Sequence, residues 1–464
     1  MTKHKKIFTD HSDIDSALLS DQQHVWHHLT QHKALEQSPP IMITSGKGMR
    51  ITDTNNKEYL DAVSGAVWTV NVGYGRERIA KAVYDQLLEM NFIAGSMGNL
   101  PAAIFSEMLT EIMPGMSRVY YSNSGSEANE KGYKITRQIA HHKYDGKKHK
   151  ILYRDRDYHG TTITTLSTSG QEQRKDQYGP FTPGFIQFPS CDTYRSHHSE
   201  EECTINSIRA IEEIIQDEDP DTIGSIIIEP ITAGGGVLLP PEGYMPMLSD
   251  LCKKYDILLH IDEVVCGMGR TGKWFGYQHY GIQPDIVTMA KGLASGYAAI
   301  SCTVTTEDVF AEFKKHPEDP MDYFRDISTF GGCTAGPAAA VENMKIIIEE
   351  NLLENVTNVG HYALDKLEEL KDKHQIIGDV RGKGLFLGIE LVKDRQSKEP
   401  VDESVVANIA ADCMQQGVII GRTNRSFATL NNTICLAPAL IATTDDIDEI
   451  VTAIDIAIGR ISIS

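Results

Sequence analysis

Three charged residues each stand directly after a short apolar run. Glu229 follows Ser225-Ile226-Ile227-Ile228, Asp262 follows Ile257-Leu258-Leu259-His260-Ile261, and Lys291 follows Ile286-Val287-Thr288-Met289-Ala290. A primary amine condenses with an aldehyde, and a carboxylate can keep a heteroaromatic nitrogen protonated so that its ring accepts electrons. Held near one another, Lys291 and Asp262 would serve both needs, and pyridoxal 5'-phosphate is a cofactor that has both.

Short runs rich in β-branched residues read as buried strands of a parallel sheet. A charge ending each run places Glu229, Asp262 and Lys291 at the carboxyl edge, where open α/β sheets bind ligands. The intervals are 33 and 29 positions, close to the ~30 residues of one strand–crossover–strand unit. Tyr244, Leu248, Leu251, Cys252 and Tyr255 would share one face of a crossover helix between the first two strands.

Upstream, Arg118-Val119-Tyr120-Tyr121 reads as a strand, followed by a turn containing Ser124, Gly125 and Ser126 and a helix from Glu127. Strand, hydroxyl–glycine turn and helix form a cradle for a phosphate at a positive helix end. The same hydroxyls would also serve as helix caps and nothing more. After Ile151-Leu152-Tyr153 come Tyr158 and His159. An aromatic ring at a strand end can stack on a planar cofactor, or both residues can be ordinary loop residues.

The chain has 464 residues, more than one core usually spans. The reading is an α/β protein with an N-terminal segment over 1–66, a large domain over 67–335 and a C-terminal α+β domain over 336–464 that the N-terminal strands join. Residues 41–62 alternate as a small antiparallel sheet with Asn55-Asn56 in a turn, and a helix beyond Gly75 has Ile79, Val83, Leu87 and Leu88 on one stripe. Residues 190–220 read as a polar surface excursion. Ser328 to Gly332 form a second hydroxyl–glycine turn, and later helices are expected near 337–350, 354–373, 402–416 and from Thr444, with strands at 384–391 and 433–436.

The net charge of −20 argues against nucleic acid and anionic membranes as partners. Eight cysteines lie without CxxC spacing, several within apolar runs, and no apolar run reaches a membrane span, so a cytoplasmic protein is expected. His24, His28 and His32 are four apart, as a metal-binding helix face could be, but no acid or cysteine completes a set and no metal is expected. Gly267-Met268-Gly269-Arg270-Thr271-Gly272 spells the GxGxxG of dinucleotide sites, although no long helix follows and no acid ends a strand ~20 residues on.

SNSGSEAN (122–129), DYHG (157–160), IEP (228–230), HIDEVVCGMGRTG (260–272), AKG (290–292) and STFGG (328–332) together resemble the class III aminotransferases, which have fold type I and use pyridoxal phosphate. The resemblance spans nearly the whole chain. It implies that Lys291 carries the cofactor and moves a proton, Asp262 holds the pyridinium, and Val264 and Tyr158, with His159 alongside, pack on the ring. Ser124, Gly125 and Ser126 would take the phosphate, joined by Thr329 from a partner subunit, so the active unit would be a homodimer with shared sites. Pairing of dimers into a tetramer stays open. Glu229 would sit by the ring hydroxyl or position nearby arginines.

Within that family, HVWHHLTQHK (24–33), VWTVNVGYGRERIAKAVYDQ (67–86), KWFGYQHYGIQPDIVTMAKG (273–292) and TNRSF (423–427) resemble the taurine–pyruvate aminotransferases. This implies taurine as amino donor and pyruvate as acceptor, with β-alanine, hypotaurine or simple amines as alternative donors, and a decarboxylase or aminomutase as alternative activities on the same scaffold. Trp26 and Trp68 would wall the substrate pocket. An insertion, 425–432, precedes the last strand, so either Arg422 or Arg425 could bind the substrate anion.

Overall fold

Seven strands form the central sheet: β1 (Met116–Ser122), β2 (Lys150–Arg154), β3 (Phe185–Phe188), β4 (Ile223–Ile228), β5 (Leu258–Asp262), β6 (Ile286–Met289) and β7 (Ser301–Thr306). The computed structural model describes residues 14–36 and 40–461. Across the sheet the order is β1-β7-β6-β5-β4-β2-β3. Neighbours from β6 to β3 are parallel, whereas β7 runs antiparallel to both β6 and β1. Ile226, Ile227, Ile228, Ile261, Val287 and Met289 are fully buried, as strands covered on both faces must be. In register, Ile228 lies beside Ile261 and Asp262 beside Thr288. Glu229 and Asp262 therefore leave the sheet at one level.

Two smaller sheets flank this one. Strands Ile43–Lys47, Arg50–Asp53 and Glu58–Asp61 form an antiparallel meander, and Val418–Ile419 adds to it in parallel beside Glu58–Asp61. The first and last parts of the chain thus share a sheet. The other smaller sheet joins Ile377–Lys383, Phe386–Asp394, Glu399–Pro400, Gly421–Arg422 and Thr433–Leu436. Among the described residues no helix is long and apolar enough to cross a membrane, and all eight cysteines are free thiols.

Several expectations need correction. Residues 190–220 are no surface excursion, because Glu200–Asp217 is a helix burying Cys203, Ile208, Ile211 and Ile215. Its start is a capping box between Ser199 and Glu202, a signal present in the sequence. The helix Glu77–Glu89 buries Ile79 and packs Val83 but leaves Leu87 and Leu88 exposed. The histidine spacing does not lie on one helix, since Ile14–His24 ends at the first of them and His32 instead accepts a hydrogen bond from the His27 amide at 3.0 Å.

After the glycine loop at 267–272 comes only the short turn Gly276–His279, in keeping with the sequence context that spoke against a dinucleotide site there. The loop's side chain Arg270 is fully buried. The guanidinium donates to Ser64 Oγ at 3.1 Å, Asn71 Oδ1 at 2.9 Å, Leu385 O at 3.2 Å and Pro438 O. One side chain therefore ties the start, middle and end of the chain together. Arg270→Met strands four acceptors away from water and should lower the unfolding free energy by roughly 3–5 kcal/mol. Thermal denaturation of the purified variant checks this, and a melting temperature equal to wild type would show that the junction is held by other contacts.

Candidate active site

The carboxyl ends of β4, β5 and β6 open onto a cavity of about 180 Å³. Asp262 and Lys291 both line it, with Glu229, Tyr158, His159, Val264, Gly125 and Ser126. Eight of the residues expected from the sequence thus face one space.

At its floor, Asp262 is buried. It accepts hydrogen bonds from His159 Nδ1 at 2.8 Å, Asn129 Nδ2 at 2.8 Å and the Val264 amide at 3.0 Å. Burial would raise its carboxyl, yet the His159 ring and the two amides hold it below the ordinary aspartate range. The site therefore keeps a carboxylate ionised out of water. The sequence reading missed Asn129, which also donates to the His159 carbonyl at 2.7 Å and accepts from Thr288 Oγ1 at 2.6 Å. The only signal for it was its place in the SNSGSEAN run.

Lys291 lies two residues past β6 and has φ of 47°, a left-handed conformation that strains a residue with a β-carbon. Burial pushes its ammonium below the ordinary lysine value, against the opposing pull of Asp262 and Glu229. Its Nζ lies 5.4 Å from the centre of the Trp68 ring. Trp68 is carried by an irregular turn in which Ser64 and Ala66 also have positive φ, and its ring meets Phe386 edge-on at 6.0 Å. Trp68 is therefore a wall beside the amine.

Ser124 caps the helix Gly125–Tyr144 by accepting from the Glu127 amide at 3.2 Å, and Ser126 Oγ accepts from the Thr161 amide at 3.1 Å. Among the described residues the amides of Gly125 and Ser126 have no protein acceptor. They are free donors at a helix start and favour an anion there. A β-carbon on Gly125 would come within 3.1 Å of Val264, so the glycine lets the helix end meet the β5 loop closely. Tyr158 is half-buried, and its amide donates to Glu229 Oε2 at 3.1 Å. Burial, with Asp157 and Asp262 nearby, pushes the Glu229 carboxyl well up. The Glu229 carbonyl accepts from Arg154, which also pairs with Asp157 at 2.8 Å.

Other expected residues stay outside the cavity of a single chain. Thr329 is exposed, on a turn with Phe330. Trp26 is 88% exposed and touches only the edge of His32 among aromatic rings. Arg422 is paired with Glu403 at 3.0 Å. Arg425 is exposed and donates to the Leu29 carbonyl.

An ionised acid, an amine of depressed basicity, free helix-end amides and an aromatic wall around one small space suit a flat heteroaromatic aldehyde with an anionic arm. On a mostly parallel sheet, this is the arrangement of an aminotransferase of fold type I. The chain belongs to the class III aminotransferases, whose family model, described as aminotransferase class-III, matches residues 32–458. It is 62% identical over 450 residues to the hypotaurine/taurine–pyruvate aminotransferase of Paracoccus denitrificans, covering 97% of this chain and 98% of the relative. It is 61% identical over 436 residues to the taurine–pyruvate aminotransferase of Bilophila wadsworthia, covering 94% and 95%. A crystal structure of a Bacillus anthracis aminotransferase superposes with a TM-score of 0.93 at 39% identity, covering 96% of this chain and 98% of that one.

Behind the site, His260 on β5 is fully buried, with Nε2 3.2 Å from Thr288 Oγ1. Burial pushes its imidazole down from 6.5 to about 3, Asp262 opposing. The unfolded chain therefore takes up a proton that the folded chain refuses, so this contribution is full above pH 6.5 and is lost as pH falls toward about 3. His260→Leu should flatten the acid limb of a melting-temperature profile across that window. An unchanged limb would assign acid lability to other groups.

Proposed function

We propose that the chain transfers the amino group of taurine to pyruvate, releasing sulfoacetaldehyde and L-alanine, with pyridoxal 5'-phosphate as cofactor. The observation that carries this reading is the pairing of the Lys291 amine with an ionised Asp262 across one cavity. It occurs in a chain 62% identical to a hypotaurine/taurine–pyruvate aminotransferase. When bound, the cofactor supplies an aldehyde carbon for the amino group and a ring that takes up electrons from the breaking bond.

In this reading Asp262 keeps a proton on the ring nitrogen, and His159 and Asn129 hold Asp262 ionised and in place. The free amides of Gly125 and Ser126, capped by Ser124, hold the phosphate, while Tyr158 and Val264 close on opposite ring faces. Glu229 fixes the Tyr158 backbone. Lys291 Nζ removes the proton from the substrate carbon that bears nitrogen, and its depressed basicity leaves more of it as free amine near neutral pH. Hypotaurine, named together with taurine for the Paracoccus relative, is the second donor to test.

The reading extends to assembly. Leu88, Leu100, Ile327 and Phe330 are 71%, 78%, 86% and 66% exposed in the single chain, more large apolar surface than a monomer usually shows water. Thr329 lies between the last two. A homodimer would cover these residues and carry Thr329 to the partner's phosphate. The chain would work as a lobe over 67–335 and a second lobe of 1–66 with 336–464, in the reducing cytoplasm that its free thiols suit.

The test is a donor panel with pyruvate, following alanine. Taurine or hypotaurine should lead, and Lys291→Ala should lower turnover by roughly 10²-fold or more. A preference for β-alanine would overturn the donor, and a fully active Lys291→Ala would overturn the mechanism. Thr329→Val should loosen cofactor binding and leave the dimer, about twice the 51.4 kDa chain, intact by light scattering.

A further inference from the structure

The chemistry described so far makes no use of His260, although an imidazole is shut wholly inside the protein there. Strand alternation puts His260 and Asp262 on one face of β5. On β6, Ile286 lies beside His260 and Thr288 beside Asp262, so Thr288 is the diagonal neighbour of His260 on that face. The helix Gly125–Tyr144 covers it, presenting Asn129, Gly132 and Tyr133 at three- and four-residue spacing. Gly132 makes room for the imidazole, because a β-carbon there would collide with Cε1 of the ring. A glycine inside a helix weakens it, so the space beside His260 is kept against the helix's own preference.

Counting hydrogens fixes the direction of every bond in this cluster. Asn129 Nδ2 faces the Asp262 carboxylate at 2.8 Å and the His159 carbonyl at 2.7 Å, and neither oxygen can donate. Both amide hydrogens are therefore used, and Oδ1 is the atom turned to Thr288. Thr288 has one hydroxyl hydrogen and gives it to Asn129 Oδ1 at 2.6 Å. His260 Nε2, 3.2 Å from Thr288 Oγ1, must then be the donor. Burial keeps the ring neutral, so it carries a single hydrogen, and that hydrogen is on Nε2. Nδ1 is left buried without a partner among the described residues. An unpaired nitrogen in the interior costs stability that an apolar side chain would not. In the opposite tautomer Nε2 would accept, and would draw the Thr288 hydrogen away from Asn129.

We propose that His260 is a positioning residue for the cofactor: as the Nε2–H tautomer it donates to Thr288, and through Thr288 and Asn129 it orients the donors that hold Asp262 against the ring nitrogen. All three bonds point the same way, toward the carboxylate, and bonds in such a chain polarise one another. His260 itself touches neither cofactor nor substrate. The ring nitrogen rests on the cofactor reading, but the direction of the hydrogen bonds rests on the geometry alone.

Equilibrium dialysis of the holoenzyme against graded pyridoxal 5'-phosphate tests this. His260→Phe should weaken the cofactor by roughly 3–10-fold, whereas His260→Gln, whose side-chain amide can still donate to Thr288, should bind it as wild type does. Thr288→Val should weaken it at least as much as His260→Phe, and adding His260→Phe to Thr288→Val should change nothing further, because His260 acts only through that hydroxyl. A role in packing alone would give the same loss in both backgrounds and no rescue by glutamine, and either result would overturn the proposal, as would wild-type affinity in His260→Phe. In ¹⁵N-histidine spectra of the protein, the His260 signal, identified by its loss in His260→Phe, should be a neutral ring with hydrogen on Nε2. Hydrogen on Nδ1 would sink the chain of donors. If wild type binds no pyridoxal 5'-phosphate, the cofactor reading falls, and the tautomer still decides the direction of the bonds.

Discussion

A carboxylate kept charged in the interior is the constraint on which the rest of the site depends. Asp262 ends a buried strand, where an isolated charge would be neutralised by taking up a proton. Three donors prevent this, and they come from three separate parts of the chain: the helix after β1, the loop after β2 and the turn after β5 itself. Only a parallel sheet with its crossovers on both faces brings those segments to one strand end. The Asn129 amide is the joint, bonding at once to Asp262, to the His159 carbonyl and to Thr288. Loss of one partner would leave another unsatisfied, so the network is rigid as a unit.

The surroundings of Lys291 show the complementary device. Its amine needs freedom to react, and no partner pins it among the described residues. Order comes instead from the backbone, which holds the residue at positive φ, and from Trp68, presented by a turn that is itself irregular. Such strain persists only where neighbouring structure over-determines it. Arg270 is part of that structure, because it bonds to Ser64 at the base of the Trp68 turn and to the carbonyls of Leu385 and Pro438. The glycine loop that resembles a nucleotide fingerprint is thus a clamp beneath the site.

Much of this was legible from residue order. A strand buried on both faces has to be apolar along its length, so a charge can appear only where it ends. Glu229, Asp262 and Lys291 stood out for that reason. The helix at 200–217 was missed although Ser199 and Glu202 announced it, because acidic residues around the cap masked the spaced isoleucines. Asn129 and Thr288 were invisible for a different reason: a neutral polar residue in a helix or strand looks like any solvated one until the fold removes its water.

The arginines mark the boundary most clearly. Sequence order alone supplied the reacting groups, the strands that carry them and an insertion with two arginines beside it, since composition and spacing are local properties. Tertiary structure alone decided that Arg422 meets Glu403, that Arg425 donates to the Leu29 carbonyl, and that Arg174 reaches the Asn424 carbonyl some 250 residues further on. Hydrophobic periodicity dictates which face of an element is buried, but not which two loops meet at the rim. That outcome depends on how the packed elements are placed in three dimensions, and on which charges are then left without an opposite one.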